Sequence, residues 1–493
     1  MKANRDSAVI DSEKLLTSSA IQLAAWIRSG EVSSREVVQA HVDHAQRVNP
    51  VLNAIVRDRY AQALEEADTA DQRLRACRGS ARSLAKLPPF HGVPCSIKEN
   101  FACEGMPQAS GMVARRDIIS EQDAPTVARI KAAGGIVIGV TNTPELCMWM
   151  ETSNRVYGRS RNPYDERHIV GGSSGGEGAI IGSGAAPFGL GADVGGSIRM
   201  PAFFNGVFGH KPSPGVVPNT GQVPLPKGKT NQYCTTGPLA RRAEDLMPLL
   251  RLLSGPDGQD PDCLKPTKFG DPAAVDLASL RVLQVPGNGR IRVSRELVAA
   301  QESAASGLAA LGASIRRPTL KHLHWSFEIW AARMGESGVD PFAVQLGQGR
   351  EISTFAELGK WALGRSDHTL PALGLAALEK LPMPKRFLKL GDELRSQLLD
   401  ELGDNGVMLY PVYSRPAPRH NVPLLLTTHW VYSGIVNAMA FPATSVPMGL
   451  SRKGLPLGLQ VISAPGNDHL CIAVAQELER QFGGWVPPWS ASD

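Results

Sequence analysis

A chain of 493 residues with 42% apolar and 20% charged residues can bury a large core, which excludes a disordered polymer. Its 52 basic and 47 acidic residues are well mixed and leave a net charge of +5, which excludes an electrostatic nucleic-acid binder. Seven cysteines, at positions 77, 95, 103, 147, 234, 263 and 471, form no CxxC pair and no zinc spacing, and read as reduced, mostly buried thiols.

The first segment, "MKANRDSAVIDSEKLL", lacks the apolar stretch of a signal peptide. No later window reaches the roughly 18 apolar residues of a membrane span. A soluble, cytoplasmic protein is the expectation. "TSSAIQLAAWIRSG" predicts a helix with serine at its N-cap and Gly30 as its stop. "SSREVVQAHVDHAQRV" predicts a second, with Ser33 and Glu36 at capping-box spacing. A polar helix near 60–80 leads to "LPPFHGVPCSIKENF". There Val93, Cys95 and Ile97 alternate as in a short strand, with Lys98 at its end.

"DAPTVARIKAAGGIVIGVTNTPEL" predicts a helix capped by Asp123, a stop at Gly134–Gly135 and a buried strand, "IVIGV". The helix-then-strand order recurs at "SRELVAAQESAASGLAALGASIRR", after the strand "SLRVLQV". Such alternation predicts an α/β sheet covered by helices. Residues 320–395 differ. They hold Trp325, Trp330, Trp361 and many leucines broken by Gly and Pro, which predicts amphipathic helices of a cap or substrate channel. The three tryptophans read as cap core rather than a ligand box. "DNGVMLYPVY" and "AFPATSVPMGL" return to core strands.

The chemistry concentrates in "GGSSGGEGAIIGSGAAPFGLGADVGGSIRMP", Gly171 to Pro201. A phosphate loop fails, because Glu177 stands where Lys-Ser/Thr is needed, and the G-x-G-x-x-G pattern breaks at Val194. Gly172-Ser173-Ser174-Gly175-Gly176 fits a G-x-S-x-G nucleophile elbow on Ser174. The downstream histidines 210, 322, 324, 368, 420, 429 and 469 leave that reading open. A third reading uses both serine islands. A serine hydroxyl needs a base, and a buried lysine with a lowered pKa can serve. A second serine can relay the proton. The N–H groups from Val194 to Ser197, in glycine-rich backbone, can converge on an oxyanion.

Each residue also has an ordinary reading. Lys98 alone is a solvated lysine at a strand end. Ser173 and Ser174 are turn residues, and Ser197 is a helix N-cap. Asp193 and Arg199 are a structural ion pair. Cys147, Met148 and Trp149 are core packing.

The phrases "GGSSGG…DVGGSIRMP" and "GVPCSIKEN" together resemble the amidase signature family of Ser-Ser-Lys hydrolases, with Lys98, Ser173 and Ser197 at the family's spacing. The likeness runs on to "KGLPLGLQVISAPGNDHLCIAVAQELER", nearly the whole chain. Within the family, "GGSIRMPAFFNGVFGHKPSPGVVPN" is similar to the fatty acid amide hydrolases, the second mammalian type above all.

By position, the resemblance implies Ser197 as nucleophile, Ser173 as a bridging serine on a cis peptide, and Lys98 as the base. It implies an oxyanion hole from Val194, Gly195, Gly196 and Ser197. Ser174, Asp193 and Arg199 would orient the loop, and Cys147, Met148 and Trp149 would line the acyl pocket. Glu99 departs from the family's usual Asp after the lysine, and the expectation is that the chain does without the membrane-spanning N-terminus of the fatty-amide type. The fold implied is an α/β/α domain over residues 1–493, with a central mixed, twisted sheet and 320–395 as a helical cap.

The activity implied is amide hydrolysis through an acyl-enzyme on Ser197, on hydrophobic fatty acyl or aryl amides, with no metal or organic cofactor. Esters and carbamates (urethanes) present the same carbonyl. A homodimer and peripheral membrane contact through 355–390 are compatible with this reading. Two other classes stay open: the amidase-like component of a tRNA-dependent amidotransferase complex, and an inactive scaffold that binds through its cap.

Overall fold

The computed structural model describes residues 11–380 and 383–490. The expectation of no leader on the first ten residues, and residues 381–382 of the segment 320–395, lie outside them. In chain order the strands are β1 (Ile55–Asp58), β2 (Val93–Lys98), β3 (Gly135–Thr141), β4 (Ser153–Asn154), β5 (Gly158–Arg159), β6 (Phe188–Asp193) and β7 (Phe208–Lys211). They continue with β8 (Thr235–Ala240), β9 (Arg281–Gln284), β10 (Ser314–Arg316), β11 (Gly406–Tyr410), β12 (Ala443–Leu450) and β13 (Pro456–Ser463). Among the described residues, eleven of these form one sheet in the order β1-β3-β2-β6-β8-β7-β12-β13-β11-β9-β10. β4 and β5 pair separately. The sheet is mixed: β2 runs parallel to β3 and β6, and β9 parallel to β10 and β11, while β8, β7, β12 and β13 join antiparallel. This is the α/β architecture expected from the alternation of elements.

Helices cover both faces, so β2, β3, β6, β7, β8 and β13 are buried at every position, and the polar residues of β2 are as hidden as the apolar ones. Leu23, Ile27, Phe90 and Val137 share one core cluster, and Val38, Ile138, Ile180 and Ile181 another. The early helices form where their caps predict. Ser19 caps Ala20–Ser29 and Gly30 ends it at φ +79°. Ser33 and Glu36 form a complete capping box on Ser34–Leu52. Asp123 is a correction: Ala124 occupies the N-cap of Pro125–Ala132 and makes no side-chain cap bond. Asp123 instead accepts the Glu104 N–H at 2.8 Å and pairs with Lys131.

Residues 326–402 carry the helices Ser326–Gly335, Phe342–Leu346, Thr354–Ala362, Leu370–Leu378 and Arg386–Leu402. Trp325 packs on Phe387, 5.4 Å between ring centres, as core. Trp361 does not: it is 37% exposed, near Phe355 at 88% and Leu363 at 72%. The helix Thr354–Ala362 buries only Thr354. No helix among the described residues is long and apolar enough to cross a membrane.

Candidate active site

The three parallel strands β2, β3 and β6 end on Lys98, Thr141 and Asp193, so their carboxyl ends open at one edge, where α/β sheets place ligands. β2 delivers Lys98. β6 runs into the loop Val194–Ser197. The loop after β3 carries Cys147, Met148 and Trp149. Ser173 and Ser174 sit between them, just before the helix Gly175–Gly182.

Lys98 Nζ donates to Ser173 Oγ at 2.7 Å, with Lys98 fully buried and Ser173 1% exposed. The solvated-lysine reading therefore fails at this position. Lys211 is the other fully buried lysine described, and burial pulls it down to about 8, but its Nζ meets only the Pro212 carbonyl. Lys98 alone of the two touches a serine hydroxyl. The Gly172–Ser173 peptide is cis. Ser197 is 7% exposed, more open than Lys98 or Ser173. Its carbonyl accepts the Ser174 N–H at 3.1 Å, which ties the two serine islands together through the backbone. Among the described residues, the hydroxyls of Ser173 and Ser197 are not hydrogen-bonded to each other.

Asp193 organises the turn. Its carboxylate accepts the N–H of Gly196 at 2.6 Å, of Ile198 at 3.0 Å and of Arg199 at 3.3 Å. Arg199 meets the same carboxylate at 3.0 Å through Nε and Nη2, and both residues are fully buried. Burial alone would raise the Asp193 carboxyl; the charge and hydrogen bonds of Arg199 outweigh it and hold it well below the carboxylate range. Gly196 adopts φ +111°, and a Cβ there would collide with Ser433, so no other residue fits.

This geometry corrects one expected role. The Gly196 N–H is committed to Asp193 rather than free for an oxyanion. The N–H groups of Val194, Gly195 and Ser197 have no acceptor among the described residues. The Val194 carbonyl receives Trp330 Nε1 at 3.1 Å.

The elbow reading of Ser174 finds no support. Its hydroxyl reaches only the Ala192 carbonyl, at 3.4 Å, and no histidine is bonded to it among the described residues. His210 is held by Thr444 and Asp468, and His429 by Ser414.

Several supporting residues carry no sequence signal. Asn437 and Gln460 accept the remaining Arg199 donors at 2.5 and 2.6 Å. Glu177, fully buried beneath the site, accepts hydroxyls from Ser96 and Thr141, both at 2.7 Å, and burial pushes it up to about 7. Glu99 is also pushed to about 7 by burial, and it accepts Tyr157 Oη and the N–H groups of Ala109 and Ser110.

Cys147, Met148 and Trp149 are half-buried, so they are not plain core. Their segment is strapped at both ends. Glu145 accepts His368 Nδ1 at 2.7 Å and the Thr369 N–H, and Glu151 accepts His420 Nδ1 at 2.8 Å and the Asn421 N–H. A groove of about 350 Å³ beside it is lined by Met112, Val113, Leu346, Ile352 and His368. A groove of about 650 Å³, lined by Glu302 and Arg317, lies at the far sheet edge near β10, away from Lys98.

An α/β sheet with a buried lysine on a serine and a carboxylate-braced glycine turn defines a hydrolase scaffold. The Amidase family model matches residues 36–472, and the chain belongs to the amidase signature family. Fatty-acid amide hydrolase 2 of Homo sapiens is 45% identical, covering 97% of this chain and 91% of that protein. An indoleacetamide hydrolase of Bradyrhizobium diazoefficiens is 32% identical, covering 94% and 86%. A solved fatty acid amide hydrolase shares the fold at a TM-score of 0.77 and 22% identity, covering 96% and 86%. Family and relatives together support hydrolysis of amides as the activity.

Proposed function

We propose that this chain is a serine amidohydrolase that cleaves hydrophobic fatty acyl or aryl amides through an acyl-enzyme on Ser197. Lys98 is the base and Ser173 the relay. Ser197 gives its proton through Ser173 to Lys98 as its oxygen attacks the amide carbonyl. The N–H groups of Val194, Gly195 and Ser197 take the developing oxyanion, while the Gly196 N–H on Asp193 supports the loop. The proton passes back to the leaving amine as the C–N bond breaks. Water then repeats the attack on the ester and releases the acid. The observation that carries this reading is the 2.7 Å contact between Lys98 and Ser173, with both side chains out of water beside the Ser197 turn.

Half-buried Cys147, Met148 and Trp149, with Met148 packed on the cluster of Met112, Leu146 and Leu346, support an apolar acyl group. Residues 320–395 act as its cap within one domain. Esters and carbamates offer the same carbonyl and fall within the same chemistry. Exposed Phe355 and Leu363 support reversible contact with a lipid surface. A cytoplasmic homodimer completes the reading. The purified chain is tested alone on a long-chain p-nitroanilide, an oleamide and an aryl carbamate. Turnover that favours long or aromatic acyl groups supports the proposal. Turnover only with added partner proteins would favour the amidotransferase reading instead.

A further inference from the structure

We infer that Trp330, on the helix Ser326–Gly335, is a positioning residue that aims and strengthens the Gly195 N–H as an oxyanion donor. The inference rests on the proposed acyl transfer at Ser197. Trp330 Nε1 donates to the Val194 carbonyl at 3.1 Å, across 136 residues of sequence. That carbonyl and the Gly195 N–H belong to the same rigid peptide plane and point in opposite directions. A donor on the carbonyl therefore fixes where the N–H points. It also polarises the peptide and makes that N–H a stronger donor, because hydrogen bonds in series reinforce one another. The Gly195 N–H has no acceptor among the described residues.

The loop is thus held from two sides. Asp193 takes the Gly196 N–H from within the sheet. Trp330 holds the preceding peptide from the helical segment. The indole is itself seated firmly. It packs edge-on to Trp430, 4.5 Å between ring centres and 82° between planes. A Cβ built on Gly195 would stand 3.2 Å from the Trp430 ring and 3.8 Å from the Trp330 ring, so the two indoles cover this glycine. Gly434 makes room for the pair, since a Cβ there would collide with the Trp430 ring. Trp430 satisfies its own Nε1 on the Thr427 carbonyl at 2.8 Å, so only Trp330 directs its N–H at the loop.

The test is Trp330→Phe, which keeps an aromatic ring and removes the N–H. Loss of one oxyanion donor costs about 100- to 1000-fold in kcat. Misaiming one should cost about 10- to 50-fold, with KM within about twofold of wild type. Inhibition by a long-chain trifluoromethyl ketone, whose adduct bears an oxyanion, should weaken by a matching factor. Inhibition by the corresponding fatty acid should not change.

Equal kcat and equal ketone inhibition in Trp330→Phe would overturn the inference. So would equal weakening of ketone and fatty acid, which is the mark of a pocket wall. Where Trp330→Phe fails to fold, benzothienylalanine at 330 preserves the shape without the N–H, and the same outcomes decide. Wild type that no fluorophosphonate labels would sink the serine mechanism itself. A labelled wild type with an equally fast variant sinks only the role of Trp330.

Discussion

Asp193 and Arg199 face each other at 3.0 Å with neither side chain reached by water, and the same carboxylate holds three backbone N–H groups of the turn after β6. A buried pair of this kind contributes little by its mere presence, but breaking it leaves an uncompensated charge in the interior. Asp193→Ala should therefore destabilise the protein by about 3–5 kcal/mol in urea denaturation. A loss below about 1 kcal/mol would mean that Asn437 and Gln460 suffice for Arg199.

Ser197→Ala and Lys98→Ala should each lower kcat by at least about a thousandfold on a long-chain amide, while Tm stays near wild type. Ser173→Ala should fall with them, since members of one proton path act as a unit. A fluorophosphonate should label wild type once, and peptide mass mapping should place the label on Ser197. A label on Ser174 would revive the elbow mechanism.

Glu177 links stability to pH. Burial raises it from its ordinary 4.5 to about 7, so between those values the folded protein holds a proton that the unfolded chain has released. Its contribution is fully present below about 4.5 and is lost as pH rises through about 7. Glu177→Gln, permanently neutral, should match wild type at about pH 4 and exceed it at about pH 8 by on the order of 3 kcal/mol. Glu99 and Asp245 shift the same way, so the measurement compares variant with wild type at each pH. A gap that does not change with pH would show that the charge on Glu177 is of no consequence.

Phe355→Ser with Leu363→Ser removes the two most exposed large apolar groups at the helix Thr354–Ala362. Co-sedimentation with phosphatidylcholine–phosphatidylserine vesicles should fall several-fold, while turnover of a short soluble amide is unchanged. Unchanged vesicle binding would leave this segment as a lid alone.

Much of the candidate site is legible in the chain because its signals are local. The capping box at Ser33 and Glu36, the strand ending on Lys98 and the glycine turn before Arg199 each follow from a few neighbouring residues. The cap expected at Asp123 does not form, because a carboxylate with Lys131 and the Glu104 N–H in reach serves those instead of the adjacent helix.

Sequence by itself determined the α/β alternation and the family, and singled out Lys98, Ser173 and Ser197 as candidates, since spacing and glycine demand are written in order along the chain. Only the tertiary structure decided which donors stay free. Gly195 and Gly196 look alike in sequence, yet Asp193 takes one N–H and Trp330 braces the peptide of the other. Likewise Trp325 and Trp361 read the same, and only packing half-buries one against Phe387 and leaves the other at the surface. Trp330 reaches the Val194 carbonyl across 136 positions, and no local pattern encodes which distant residues the fold will bring together.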